Sequence, residues 1–225
     1  MATYVYRASK DIIDAILASV GAPDIIAEAA QILQEEQRRR EQFYNDITEQ
    51  VKAEFIQGEV VVHSPVMKWH NDILGNLVRM VQTHVLINEL GFVGFEKIMT
   101  RLTRNDYEPD LCFFGVEKAA SFTKKQTLFP APDLVIEVLS KSTEERDRGI
   151  KYTDYEYHGV EEYWLVAPKS GRVEQYLLED GKYRLTLKSS SGYIDSRVIT
   201  GLKLPIAAIF EEAQAVQVVQ AMYNA

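Results

Sequence analysis

A segment over residues 132–140 constrains the fold of this chain more than any other feature of its sequence. It opens with Pro132-Asp133 and continues as an apolar run over 134–139 that only one carboxylate, Glu137, interrupts. Such runs are typical of strands that are buried on both faces of a sheet. A buried ionised glutamate is costly unless it is paired, protonated or bound to a metal. The fold must therefore give Glu137 a compensating partner.

Helical and extended patterns alternate along the rest of the chain. Apolar periodicity and turn residues predict, in order, a hairpin over 53–62, a helix over 68–89, strands around 92–103 and 107–114, the strand 134–139, a helix over about 142–158, a strand over 162–166, three short strands and a helix over about 206–222. A strand–helix–strand unit requires a parallel pair with a right-handed crossover. We therefore predict an α/β fold with a central mixed β-sheet flanked by helices.

The first 50 residues differ in character from the remainder of the chain. Two helical patterns, one over residues 9–21 and one from about residue 25, are separated by a Gly-Ala-Pro-Asp turn. The charged run 34–41 in the second pattern is interpreted as a solvated helix face. We predict an N-terminal helical appendage over residues 1–50 and one larger domain over residues 51–225.

The charge balance limits the partners that this chain can bind. It has 25 Lys and Arg against 33 Asp and Glu, which gives a formal net charge of −8. This acidic excess disfavours binding to nucleic acid through bulk electrostatics. No run approaches the roughly 18 apolar residues of a membrane span, so we predict no membrane association. The single cysteine, Cys112, indicates a cytoplasmic protein.

A second carboxylate is expected beside Glu137. The sequence Glu-Pro-Asp that ends at Asp110 opens another apolar strand, so the two carboxylates lie side by side if the strands pair. Adjacent carboxylates repel each other, and a hard divalent cation such as Mg²⁺ resolves that repulsion. The alternative is that Glu137 pairs with Arg146 or Arg148. Asp133 shares the strand face of Glu137 and either supports this site or caps the start of its strand.

The helix after the Glu137 strand carries a basic residue. Asp147, Lys151 and Tyr155 are spaced at i, i+4 and i+8, which places them on one face of a continuous helix. This helix packs back on the sheet, so Lys151 could reach Glu137 over the sheet edge. The alternative is an exposed Asp–Lys pair on the helix surface.

Several short motifs occur together in this chain. In order they are Gln57-Gly58-Glu59, Ser64-Pro65, His70, Pro109-Asp110, Glu137-Val138-Leu139-Ser140, Asp147, Lys151, Tyr155, Gly159-Val160 and Glu162-Tyr163-Trp164. Their order and spacing resemble the Uma-two family of restriction endonucleases, a branch of the PD-(D/E)XK nuclease superfamily. The resemblance spans about residues 50–210 and implies a restriction endonuclease-like core.

The resemblance implies roles for three residues of the predicted site. The superfamily pattern makes Asp110 and Glu137 ligands of a catalytic Mg²⁺ or Mn²⁺, and it uses a lysine to orient the attacking water. Leu139 stands at the usual position of that lysine, two residues after Glu137. The resemblance implies that the lysine has moved to the next helix, where Lys151 matches the basic residue of the family.

Two further residues are implicated by the same resemblance. Glu59 matches the Gly-Glu turn of the family and is expected to be a further metal ligand. His70 opens the long helix, where it either contacts a phosphate or packs on the sheet edge.

The function implied by the resemblance is that of a Mg²⁺-dependent deoxyribonuclease, which hydrolyses DNA phosphodiester bonds. The first alternative is a catalytically degenerate nuclease fold that serves as a binding or assembly module, which Leu139 and the net charge of −8 favour. The second is a metal-dependent phosphohydrolase of small nucleotides, for which the acidic charge is no obstacle.

Two groups of residues bear on DNA binding and assembly. A local positive rim is predicted from the basic residues of the core segments, which are Lys97, Arg101, Arg104, Lys141, Arg146, Arg148 and Lys151. A homodimer is predicted from the apolar faces of the N-terminal helices, at Ile12, Ile16, Ile25 and Leu33. Two copies would supply two sites, as cutting both DNA strands requires.

Overall fold

A computed structural model describes residues 2–48 and 50–224 of the chain, with side chains from residue 10 onward. The residues group into two compact units, Met1–Val62 with Thr103–Asn105, and His63–Leu102 with Asp106–Ala225. None of the helices in this described part combines the length and the apolarity that a membrane crossing needs.

Helices and short strands alternate along the chain, as the sequence predicts. The helices are α1 (Ala2–Leu17), α2 (Ala22–Asp46), α3 (Lys68–Ile87), α4 (Val116–Ala119), α5 (Glu144–Arg148), α6 (Ile150–Tyr157), α7 (Ile206–Phe210) and α8 (Glu212–Tyr223). The strands are β1 (Ala53–Ile56), β2 (Glu59–Val62), β3 (Gly91–Phe95), β4 (Met99–Arg101), β5 (Asp106–Tyr107), β6 (Leu111–Gly115), β7 (Leu128–Phe129), β8 (Leu134–Val138), β9 (Glu162–Ala167), β10 (Arg172–Glu179), β11 (Lys182–Ser189), β12 (Tyr193–Asp195) and β13 (Lys203–Pro205).

The first unit contains α1, α2 and the predicted hairpin of β1 and β2. The two strands pair antiparallel, and Ala53 lies opposite Val62. Gln57 and Gly58 form the turn with φ values of 49° and 86°. Two consecutive positive φ angles are the mark of a type I′ turn, whose twist matches that of the flanking strands. The hairpin prediction is confirmed.

The charged run of α2 is partly buried, which corrects its interpretation as a solvated face. Arg40 is 3% exposed and donates to the carbonyl oxygens of Thr103 at 2.9 Å and Asn105 at 3.1 Å. Arg104 donates to both carboxylate oxygens of Glu36, at 2.6 and 3.0 Å. The loop over residues 103–105 satisfies its polar groups through these side chains, since it forms no strand of its own.

The second unit is built on a six-stranded sheet with the order β11-β10-β9-β8-β6-β3. Strands β8 and β9 are parallel and are connected through α5 and α6, whereas the other neighbouring strands are antiparallel. Shorter pairings join β4 to β5 and β7, and β12 to β13. The predicted mixed α/β sheet and its parallel pair are confirmed.

The side chains of β8 alternate between two surroundings. Leu134, Ile136 and Val138 belong to the main apolar core, together with side chains of α3, α7 and α8. Strand alternation directs Glu137 to the opposite face of the sheet. There it meets Lys151 of α6. The carboxylate is therefore held apart from the main core although its strand is buried on both faces.

One predicted helix is broken in the structure. The expected helix over residues 142–158 consists of α5 and α6, and it breaks at Gly149, where φ is −110° and ψ is −98°. A Cβ at this position would lie 2.8 Å from the carbonyl oxygen of Glu145, so any side chain would collide with the backbone. Asp147 and Lys151 therefore lie on two short helices instead of one.

Other predicted elements are subdivided. The strands predicted over 92–103 and 107–114 are each split, into β3 and β4 and into β5 and β6. The tail contains β10 to β13 where three strands are predicted. The last helix is divided into α7 and α8 because Glu211 is extended, with φ −121° and ψ 109°. Such breaks leave the apolar pattern unchanged, so periodicity alone does not reveal them.

Glu162, the first residue of β9, has a fully buried carboxylate that accepts hydrogen bonds from several segments of the second unit. Five groups donate to its two oxygens: Trp164 Nε1 (2.6 Å) and Gln175 Nε2 (2.6 Å) to Oε1, and Ser196 Oγ (2.8 Å), Arg197 N (2.9 Å) and Val198 N (3.1 Å) to Oε2. The network ties the segment between β12 and β13 to β9 and β10.

Glu174 of β10 is surrounded by donors and is almost completely buried. Arg148 Nη1 and the Tyr176 hydroxyl donate to its Oε2 at 2.7 and 2.8 Å, and Lys188 Nζ lies 3.0 Å from its Oε1. Burial raises the pKa of this carboxyl, but the hydrogen bonds from Arg148, Lys188 and Tyr176 outweigh it and lower the pKa to about 2. The carboxyl is therefore more acidic folded than unfolded.

This difference predicts a loss of stability in acid. Because the folded pKa lies below the unfolded value, the ionised Glu174 stabilises the fold above about pH 4.5 and loses this effect as the pH falls toward 2. We expect about 1 kcal/mol, since Arg148 and Lys188 are partly exposed. In urea unfolding, Glu174→Gln should be less stable than the native chain at pH 7 and nearly equal to it at pH 2.5.

The control for this measurement is Glu179→Gln, which removes an exposed carboxylate from the same strand. It should leave the pH dependence unchanged. A deficit of Glu174→Gln that is the same at pH 2.5 as at pH 7 would contradict the prediction, because the effect would then not depend on ionisation.

Candidate active site

Asp110 and Glu137 lie side by side because β6 and β8 pair antiparallel. Leu111 is opposite Ile136, so the next pair along the register is Asp110 and Glu137. The backbone N–H of Asp110 donates to Glu137 Oε2 at 3.4 Å, and the N–H of Val138 donates to Asp110 Oδ2 at 2.9 Å. Asp110 is 8% exposed and Glu137 3%. The pairing of the two strands on which the adjacent carboxylates depend is thereby confirmed.

The cation beside Glu137 is Lys151. Its Nζ donates to Glu137 Oε1 at 3.0 Å and lies 3.4 Å from Asp147 Oδ1. The Lys151 side chain is only 2% exposed, so the alternative of an exposed Asp–Lys pair is wrong. Arg148, an alternative partner of Glu137, is paired with Glu144 and Glu174 instead.

An aromatic ring lies over the Lys151 ammonium, and further tyrosine rings pack on that ring. The Tyr107 ring centroid lies 5.6 Å from Nζ, and the Tyr107, Tyr155 and Tyr163 rings pack edge to face at 5.4 and 5.3 Å. The Tyr155 hydroxyl donates to Glu137 Oε1 at 3.4 Å. Burial, with the negative charges of Glu137 and Asp147, holds the pKa of Tyr163 well above its usual value. These rings exclude water and so strengthen the ion pairs beside them.

His70 contacts the other carboxylate. It is the third residue of α3, is 4% exposed, and its Nε2 lies 3.2 Å from Asp110 Oδ2. The sequence predicts that His70 contacts a phosphate or packs on the sheet edge. The structure shows a different contact, with the Asp110 carboxylate. A hydrogen bond of this kind orients a carboxylate that is to bind a metal.

Two other predicted site residues have different surroundings. Asp133 accepts a hydrogen bond from the Gly115 N–H at 2.7 Å, and Lys118 Nζ lies 2.6 Å from its Oδ1. It lies four residues from Glu137, or roughly 13 Å along the strand. Glu59 belongs to the first unit, where its side chain is 78% exposed and lies 3.5 Å from Arg39 Nη1.

The predicted positive rim is wrong for three of its members. Arg104 is paired with Glu36, Arg148 with Glu144 and Glu174, and Lys151 is buried. Lys141 is exposed. A charge bound to a buried or neighbouring carboxylate is not available to a DNA backbone, so a count of basic residues overstates the positive surface.

Tyr107 and Asp147 are parts of the site that sequence reasoning did not assign to it. Tyr107 ends β5, three residues before Asp110, but nothing in that spacing shows that its ring covers a lysine from α6. The i, i+4 spacing of Asp147 and Lys151 predicts that their side chains are neighbours, but it fits an exposed pair as well as a buried one.

The donor set suits a hard divalent cation. Mg²⁺ prefers oxygen ligands and is commonly held by one or two carboxylates together with waters and substrate phosphates. Asp110 and Glu137 supply two such carboxylates on adjacent buried strands. Among the residues described, no group of three or more His, Cys, Asp or Glu side chains is placed to hold a metal ion. The arrangement fits a site that is completed by substrate and water.

Comparisons with known proteins identify the family and the fold of the chain. Residues 36–207 match the model of the Uma2 family, described as “Putative restriction endonuclease”. The uncharacterized protein sll1609 of Synechocystis sp. is 29% identical over 154 residues, which are 67% of this chain and 80% of that protein. The crystal structure of “a putative nuclease belonging to DUF820” from Anabaena variabilis has a TM-score of 0.65 at 18% identity, covering 75% of this chain and 94% of that one. The structural likeness shows a nuclease-like fold.

Proposed function

Because the chain belongs to the Uma2 family of putative restriction endonucleases, we propose that it is a metal-dependent endonuclease that hydrolyses phosphodiester bonds of DNA. The observation that carries the proposal is the buried cluster in which Asp110 and Glu137 adjoin and Lys151 contacts Glu137. Family membership supports a nuclease, and the cluster supports this position for its site.

Asp110 and Glu137 are the residues that would hold Mg²⁺ or Mn²⁺. When bound, the ion polarises a phosphoryl oxygen and lowers the pKa of a water. His70 would keep the Asp110 carboxylate oriented, since it contacts Oδ2 from the side of α3. Glu59 stays a predicted further ligand.

Lys151 is the proposed partner of the attacking water. Its ammonium is held at Glu137 by a 3.0 Å hydrogen bond, is buried, and lies 5.6 Å from the centroid of the Tyr107 ring. A fixed positive charge in such dry surroundings stabilises developing negative charge on a phosphate more than it would in water. Leu139 is buried and apolar, so Lys151 takes over the function of the residue usually found there.

The proposal is tested by offering one set of substrates under one metal condition. Purified protein with Mg²⁺ or Mn²⁺ is incubated with labelled duplex DNA, single strands and nucleotides, and we expect cleavage of duplex DNA that stops on adding a chelator. Hydrolysis of nucleotides alone would replace the proposal with a small-molecule phosphohydrolase. Metal binding without hydrolysis of any substrate would support the binding-module alternative.

We also propose that the protein acts as a homodimer through its N-terminal helices. Ile12 is 62% exposed, Ile25 42% and Leu33 48%, whereas Ile16 is half-buried, so these helices present apolar side chains to solvent. A second copy would cover them and would supply a second site for the opposite DNA strand. A light-scattering mass of one chain at micromolar concentration would contradict this.

A further inference from the structure

Lys151 contacts a second carboxylate besides the one that the proposed chemistry uses. Its Nζ lies 3.0 Å from Glu137 Oε1 and 3.4 Å from Asp147 Oδ1. The side chains of Lys151, Glu137 and Asp147 are only 2%, 4% and 1% exposed. Burying a second anion beside this ammonium carries a desolvation cost. None of the proposed steps uses Asp147, so its burial there needs another explanation.

The backbone on both sides of the pair holds Asp147 against Lys151. The Tyr163 hydroxyl donates to the Asp147 carbonyl oxygen at 2.9 Å, which joins α5 to β9. The chain then breaks at Gly149, where no side chain fits, before α6 presents Lys151. The contact therefore joins two short helices, of which α5 is anchored to β9, and it does not follow from i, i+4 spacing on one continuous helix.

We propose that Asp147 is a positioning residue, which keeps the Lys151 ammonium in the site when Glu137 binds a divalent cation. The inference rests on the proposed function. An ammonium beside Glu137 is repelled once that carboxylate binds a cation. Asp147 offers the ammonium a second anion within its present reach. Glu137 is thereby released to the metal, and Lys151 keeps both its charge and its place.

A double-mutant cycle on metal affinity tests this inference without any cleavage assay. The affinity for Mn²⁺ alone is measured by calorimetry for the native chain, Asp147→Asn, Lys151→Met and the double variant. We expect Asp147→Asn to weaken Mn²⁺ binding about tenfold when Lys151 is present and less than about threefold in the Lys151→Met background. Lys151→Met alone should tighten binding, because a competing cation has been removed.

A purely electrostatic or structural role of Asp147 gives a different pattern. The loss of one negative charge near the cation then weakens binding equally in both backgrounds, and this result would overturn the inference. The control is Glu145→Gln, which removes a charge from an exposed position of α5. It should leave the affinity within about twofold, since solvent screens that charge.

Two outcomes separate this inference from the proposed function. Absence of Mn²⁺ binding by the native chain would overturn both, whereas equal effects of Asp147→Asn in the two backgrounds would overturn the inference alone. If Asp147→Asn does not fold, the native chain supplies the test through NMR of the Lys151 ammonium. Saturating Mg²⁺ should shift the ¹⁵Nζ signal of Lys151, and an unchanged signal in the metal-bound protein would contradict the inference.

Discussion

Asparagine in place of Asp110 should reduce DNA cleavage by roughly a thousandfold or more, because the site loses one of its two hard oxygen ligands. The fold should survive, since the amide has nearly the same shape and its oxygen can still accept the Val138 N–H. Removing one of two adjacent carboxylates also relieves their repulsion, so the Tm should stay unchanged or rise. Glu137→Gln should have the same effect on cleavage.

Cleavage of labelled duplex DNA in Mg²⁺ and thermal unfolding of the same preparations measure the two parts of this expectation. The matched control is Asp195→Asn, which changes an aspartate of β12 whose side chain is 68% exposed. It should cleave DNA at the native rate. Native cleavage by both Asp110→Asn and Glu137→Gln would mean that the metal site lies elsewhere in the chain.

The largest effect on stability is expected for Glu162→Gln. Five donors converge on the Glu162 carboxylate, and glutamine retains only one oxygen to accept them. Its NH₂ group would in addition face donors that it cannot bind. Hydrogen bonds to a charged group contribute about 1.5–3 kcal/mol each, and a buried donor left without an acceptor costs a similar amount. We expect the free energy of unfolding to fall by about 3 kcal/mol or more.

Urea unfolding at pH 7 measures this change. Glu161→Gln serves as the control because it alters an exposed carboxylate one residue earlier in the chain. Its free energy of unfolding should stay within about 0.5 kcal/mol of the native value. A loss for Glu162→Gln no greater than that of the control would show that the five donors find other acceptors.

The carboxylate pair could be predicted from sequence because each half has a local signal. Asp110 follows a proline at the start of an apolar strand, and Glu137 interrupts an apolar run that is otherwise continuous. Strand pairing needs only that the two strands be neighbours. The position of Lys151 near Glu137 can also be predicted, because the strand–helix–strand connection returns its helix to the sheet.

The surroundings of the pair could not be predicted in the same way. At Gly149, where the helix breaks, a Cβ atom would lie 2.8 Å from the carbonyl oxygen of Glu145. Apolar periodicity does not reveal this close approach. Tyr107 reaches Lys151 through tertiary packing between β5 and α6. The charged run of α2 has the sequence pattern of a solvated face, because the acceptors of Arg40 are backbone carbonyls more than 60 residues away. Each of these contacts is non-local, whereas propensity and periodicity report on neighbours in sequence.

The hydrogen bonds of Arg40 determine where this chain can be shortened. A fragment that starts at residue 51 lacks Arg40 and Glu36, which serve the carbonyls of Thr103 and Asn105 and the guanidinium of Arg104. Buried acceptors that lose their donors destabilise a protein by as much as a poorly packed core does. A fragment designed for crystallisation or assay should therefore begin before Glu36, so that trimming is confined to α1 and the first turns of α2.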